Sequence, residues 1–108
     1  MEKTQEQEID RIKKLLCPIF SANNVTKAYL FGSLSQGTAT RKSDIDLMII
    51  TETTKRFFDR HDDFDKIQDI LPNRAVDMLI YTPDEVSLIA HRPFIRNILN
   101  KGLILYEC

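Results

Sequence analysis

The sequence predicts an α/β (α+β) fold, a small mixed β-sheet packed by helices, on three observations. Apolar residues recur at helical spacing in some stretches and form short aliphatic blocks in others; the two patterns alternate along the chain; and turn residues separate them. A chain of 108 residues suffices for one domain, burying about 65% of its unfolded surface. Residues 1–108 are therefore read as a single domain.

Each element carries its own signal. Thr4 followed by Gln7 suits a capping box, and Ile9, Ile12, Leu15, Leu16 and Ile19 recur at helical spacing, which predicts an amphipathic first helix. Pro18 is expected to kink or end it, because proline lacks the N–H donor and crowds the preceding turn. Asn23-Asn24 then turns the chain into a strand over Lys27–Phe31 (KAYLF), stopped by Gly32, and Ile45–Thr51 (IDLMIIT) makes a second strand. Helical spacing returns at Phe57, His61, Phe64, Ile67 and Leu71, with Pro72-Asn73 as the stop. A third strand, Ala75–Tyr81 (AVDMLIY), leads into Thr82-Pro83-Asp84-Glu85. There Thr82 can cap, Pro83 suits the first helical position and Glu85 completes the box. Pro93 interrupts that helix, a further turn or two covers Phe94–Leu99, and Gly102 ends it before a last short strand, LILYE.

Composition narrows the function classes. A formal net charge of −1 gives no general attraction to a nucleic-acid backbone, so no direct nucleic-acid binding is expected. The N-terminal MEKTQEQEID has no apolar core like that of a signal peptide, and the aliphatic run Leu47–Ile50 is too short to cross a bilayer; a cytoplasmic protein is expected. Cys17 and Cys108 match no metal spacing and read as reduced, incidental thiols. The acidic run Asp59, Asp62, Asp63, Asp65 and Asp69 is interleaved with Lys55, Arg56, Arg60 and Lys66, which suits a solvated helix face rather than a metal site. His61 falls on the apolar stripe of the same helix and reads as a hydrogen-bonded, edge-of-core residue. Tyr29, Phe31, Phe64 and Phe94 fall at core positions, against a base-stacking platform.

Packing does not explain the charge at the mouth of the second strand. Strand side chains alternate faces, so Asp44 and Asp46 point the same way with Cα atoms about 6.5 Å apart. At that separation and an effective dielectric near 20 their repulsion is on the order of 3 kcal/mol, which a cation removes. Mg²⁺ takes carboxylate oxygens, water and substrate phosphates, and a D-x-D pair at a strand end supplies such ligands. Asp77 stands among Val76, Met78 and Leu79 in an otherwise apolar strand. If strands two and three are neighbours, it completes a three-carboxylate cradle for two metal ions.

The stretch between the first two strands has a complementary chemistry. A strand ending in Gly32-Ser33 and turning into a short helical segment over Ser33–Gln36 would present backbone N–H groups and a hydroxyl to a phosphate, with Gly37 suited to a left-handed cap. It is not a Walker A loop, since Thr38-Ala39 stands where Lys-Ser/Thr is required, and no G-x-G-x-x-G occurs in the chain.

Gly32-Ser33, ten intervening residues, Asp44-Ile45-Asp46 and the later-strand Asp77 together resemble the DNA polymerase β-like nucleotidyltransferase superfamily and, within it, the minimal nucleotidyltransferase (MNT) group. The resemblance runs from Lys27 to the closing LILYE. It implies transfer of a nucleoside monophosphate, AMP from ATP, onto an acceptor hydroxyl. Asp44, Asp46 and Asp77 would be catalytic and would bind two Mg²⁺ ions, with Asp77 also helping to activate the hydroxyl. Nucleotide contact falls to Gly32, Ser33 and Ser43. One departure stands out: members of the group often carry a basic residue in the glycine loop, where this chain has Leu34, Ser35 and Gln36. Arg41 and Lys42 are candidates to replace it. MNT proteins resemble one half of a two-component system whose other half is a helical HEPN protein, so the resemblance implies an antitoxin that adds AMP to a tyrosine of its HEPN partner. The alternative is a non-catalytic module that neutralises its partner by binding alone. Phe57-Phe58 and the Val86-Ser87-Leu88-Ile89 stretch are candidate partner surfaces.

Overall fold

The aliphatic run Leu47–Ile50 is continuous because the strand that carries it is covered on both faces. The computed structural model of the protein describes residues 2–32, 44–72 and 74–107. Ser33, the segment to Gln36, Gly37, Arg41, Lys42, Ser43, Asn73 and Cys108 lie outside the described residues. In chain order the elements are α1 (Glu2–Ala22), β1 (Val25–Phe31), β2 (Ile45–Thr51), a 3-10 segment (Phe57–Phe64) running into α2 (Asp65–Ile70), β3 (Val76–Tyr81), α3 (Pro83–Ile89), α4 (Pro93–Lys101) and β4 (Leu103–Glu107). The four strands form one mixed sheet in the order β3-β2-β1-β4. β1 is antiparallel to both of its neighbours, whereas β2 and β3 are parallel. A parallel pair needs a crossover, and the 3-10 segment with α2 supplies it.

Alternation along β2 sends its side chains into two cores. Ile45, Leu47 and Ile49 pack with Ile12, Leu16 and Phe20 of α1 and with Phe64, Ile67 and Leu71 of the crossover. Met48 and Ile50 pack on the other face with Val86, Ile95 and Ile98 of α3 and α4. Asp46 shares this second face by the same alternation. Among the described residues no helix is long and apolar enough to cross a membrane.

The exposed edge of β3 is closed by side chains of the crossover. Gln68 Oε1 accepts from the Val76 N–H at 2.9 Å, His61 Nε2 meets the Met78 carbonyl at 3.1 Å, and Arg60 Nη1 donates to the Ile80 carbonyl at 3.1 Å. Edge groups that would otherwise template another strand are thereby occupied. His61 is the hydrogen-bonded, half-buried residue that its position on the stripe predicts.

Several expectations are corrected. α1 begins at Glu2, ahead of the expected Thr4 cap, and continues through Pro18 to Ala22. Proline in a helix interior costs about 3 kcal/mol, but Pro18 faces solvent while Leu16 and Phe20 are fully buried on the sheet, and their burial holds the last turn in place. The crossover winds as 3-10 before it becomes α-helical, and the buried members of its 3-10 segment are Arg60 and Phe64. Arg60 is thus not part of a solvated face: it is 6% exposed, drawn inward by the Ile80 carbonyl and by Glu85. Phe94 is not a core residue, being 57% exposed at the start of α4 with its ring edge-on to Phe31. β1 starts earlier than Lys27, at Val25, and α4 extends to Lys101. Gly102 ends α4 in an ordinary extended conformation, φ −66°. It is small because a Cβ there would stand 2.6 Å from the Ile98 carbonyl oxygen and 3.3 Å from that of Leu30. The Thr82–Glu85 capping box forms as expected, with Pro83 in the first turn.

Candidate functional site at the strand ends

Strand register brings the predicted acidic residues together. Asp46 pairs with Asp77 in the parallel β2–β3 ladder and with Phe31 in the antiparallel β1–β2 ladder. Cross-strand neighbours share a face at about 4.8 Å between strands, so Phe31, Asp46 and Asp77 form a row across the sheet on the α3/α4 side. Asp44 lies just before β2, two residues from Asp46 and in the same alternation, and is exposed. The Ile45 N–H donates to the Ala75 carbonyl at 2.8 Å, tying the starts of β2 and β3 together beneath the row.

The row is electrostatically loaded. Burial pushes the Asp46 carboxyl above its ordinary value, and the neighbouring carboxylates of Asp77 and then Asp44 push it further. Among the described residues no three carboxylate, imidazole or thiol groups converge to ion-binding distance. The acidic side chains are gathered but not clamped. Their donor chemistry fits Mg²⁺, a hard cation that takes oxygen ligands and retains waters.

Gly32 has a role in the site that its turn chemistry did not reveal. Its φ is +79°, a left-handed conformation that side chains other than glycine's rarely adopt. A Cβ there would overlap Asp46 Oδ2 and stand 3.2 Å from Asp46 Cγ. The glycine therefore leaves the space that the carboxylate occupies.

Beside the row lies an open depression of about 480 Å³ whose lining includes Asp46, Asp77, Phe31, Phe94, His61 and Met78. Phe31 and Phe94 meet edge to face, with centroids 5.7 Å apart at 83°, and form one wall. Sequence reasoning did not place Phe31, Phe94 or His61 at the site. Phe31 had a signal, since it directly precedes Gly32; Phe94 and His61 had none, because only the packing of α4 and the crossover on the sheet brings them there. Of the two candidate partner surfaces, Val86 is buried in the second core, whereas Phe58 and Leu88 are 85% and 75% exposed.

The class that this architecture defines is the nucleotidyltransferase fold. The sequence matches the family described as polymerase beta, nucleotidyltransferase over residues 13–108, and the chain belongs to that family. No curated protein is significantly similar to the chain. Among solved structures, one described as a toxin-antitoxin with AMP-PNP is 25% identical, with a TM-score of 0.62 over 89% of this chain and 72% of that one. A putative nucleotidyltransferase from Sulfolobus solfataricus is 19% identical, with a TM-score of 0.66 over 97% of this chain and 85% of that one. A structure of the toxin-antitoxin MntA-HepT is 18% identical, with a TM-score of 0.59 over 92% of this chain and 73% of that one. The latter two likenesses concern the fold alone.

Proposed function

We propose that the chain is a Mg²⁺-dependent nucleotidyltransferase that moves AMP from ATP onto a tyrosine hydroxyl of a HEPN-type helical toxin, and so acts as the antitoxin of the pair. The observation that carries this reading is the Asp46–Asp77 register, which sets acidic side chains from two strands side by side, with Asp44 next to them. Family membership and the 25% identity to a toxin-antitoxin described with AMP-PNP support the nucleotide and the partner class.

In this reading Asp44, Asp46 and Asp77 would hold two Mg²⁺ ions, which when bound supply neutralisation of the triphosphate's charge. The acceptor oxygen attacks the α-phosphorus, the bond to the β-phosphate oxygen breaks, and pyrophosphate leaves. In this reading Asp77 takes the hydroxyl proton: it stands on the outer strand beside the open depression, which leaves room for an acceptor on that side. Gly32 keeps room for the Asp46 carboxylate; Gly32, Ser33 and Ser43 are the proposed nucleotide contacts.

The test mixes the chain with labelled ATP, Mg²⁺ and the helical protein encoded beside it, and reads intact mass. The partner should gain one or more AMP groups with the wild type and none with Asp44→Asn/Asp46→Asn. A partner that never gains nucleotide, yet is silenced equally by the double variant, establishes the binding-only alternative instead.

A further inference from the structure

We infer that Lys101, the last residue of α4, is a phosphate-binding residue of this site and holds the part of the triphosphate that departs as pyrophosphate. The inference rests on the nucleotidyl-transfer reading and assigns the cation missing from Leu34–Gln36.

Register places Lys101. β4 pairs with β1 through Tyr29↔Ile104 and Leu30↔Leu103. Continuing the antiparallel count brings Gly102 beside Phe31 and Lys101 toward Gly32. The close approach at Gly102, where a Cβ would meet carbonyl oxygens of both α4 and β1, holds this end of α4 against the strand.

A second depression, of about 230 Å³, lies here, and its lining includes Phe31, Gly32, Phe94, Asn97 and Lys101. It shares the Phe31–Phe94 pair with the acidic depression, so the aromatic pair stands between the two. Among the described residues lining either one, Lys101 is the sole lysine or arginine. It is exposed, and no ion pair with a described residue engages it.

The chemistry assigns it to the leaving group. In-line transfer at a phosphorus puts the attacking and departing oxygens on opposite sides. Across the sheet the order is Lys101 beside β1, then Phe31, Asp46 and Asp77. With the acceptor entering beside Asp77, the departing phosphates extend past Gly32 toward Lys101, which gives their charge a point cation.

Calorimetric titrations with ATP, AMP and inorganic triphosphate, each with Mg²⁺, test this on the wild type, Lys101→Gln and Lys101→Arg. Lys101→Gln should weaken ATP and inorganic triphosphate roughly tenfold, the scale of one charge-assisted hydrogen bond, and leave AMP unchanged. Lys101→Arg should restore the loss, and the thermal midpoint without ligand should match wild type in both variants. Equal ATP affinity in wild type and Lys101→Gln overturns the assignment while leaving the nucleotidyltransferase reading intact, as does loss of ATP binding confined to Arg41→Gln or Lys42→Gln. A parallel loss of AMP binding shows a merely structural effect and overturns it too. Failure of the wild type to bind ATP with Mg²⁺ removes the nucleotide reading itself, and the role of Lys101 with it.

Discussion

The two ends of β3 carry charge in opposite ways. At its C-terminal end Arg60 makes a bidentate pair with Glu85, Nη1 to Oε1 at 2.6 Å and Nη2 to Oε2 at 3.0 Å, while its Nε and Nη1 donate to the carbonyls of Lys55 and Ile80. Glu85 also accepts from the Thr82 N–H at 2.9 Å. That cluster is satisfied within the fold. At the N-terminal end Asp46 and Asp77 stand in register with Asp44 nearby, and no lysine or arginine among the described residues pairs with them. The pKa directions record the contrast: Glu85 is held down to about 2, chiefly by the Arg60 hydrogen bonds, whereas burial and like charge push Asp46 up. One cluster is complete within the chain and stabilises it. The other gathers like charge with no described lysine or arginine paired to it, and on that contrast we read it as a candidate functional site.

The largest expected effect separates the two clusters. Asp46→Asn should lower AMP transfer by about three orders of magnitude, yet raise the metal-free thermal midpoint. The sign follows from a folded-state pKa above the unfolded one: the stability that Asp46 contributes is full below its unfolded pKa and is lost as pH rises through its folded pKa. Asparagine stays neutral throughout. An unchanged or lower midpoint at pH 7 would break the contrast.

Arg60→Ala should do the reverse, costing about 2 kcal/mol in urea unfolding because it leaves the Ile80 carbonyl without its buried donor and removes the pair with the part-exposed Glu85. A cost below about 1 kcal/mol would reduce the pair to an ordinary surface salt bridge. Gly32→Ala should cost about 1–2 kcal/mol through its left-handed backbone and, by displacing the Asp46 carboxylate, should also abolish any Mg²⁺-dependent rise in thermal midpoint. A variant that keeps the full Mg²⁺ response would separate Gly32 from the site.

The smallest effect is in acid. The depressed pKa of Glu85 contributes stability that is present above its unfolded value of 4.5 and is lost as pH falls through its folded value of about 2. With its side chain 40% exposed, solvent screening limits this to about 1 kcal/mol. Unfolding measured from pH 5 to pH 2 should show that loss in wild type and not in Arg60→Ala; identical slopes would refute it.

What could be read in the sequence depended on local chemistry. The bounds of β2 were legible because the aliphatic run Leu47–Ile50 has clear ends, and the start of α3 because its capping box spans four residues. The acidic residues stood out by being charged in apolar strands. Their adjacency could not be read, since nothing local says that β3 pairs in parallel with β2 at the register Asp46↔Asp77. The inward turn of Arg60 was hidden for a similar reason: its partners are residues 20 and 25 positions away.

By itself, then, the sequence determined the alternating α/β elements, the candidate carboxylates at the strand ends and the glycine that ends β1. These follow from backbone preference, side-chain alternation and charge within a few residues. Tertiary structure alone decided that helix α1 survives Pro18, that Phe31, Phe94 and His61 flank the acidic row, and that Lys101 comes toward Gly32. Each depends on contacts between distant segments, whose burial and hydrogen bonding exceed the local preferences that a sequence displays.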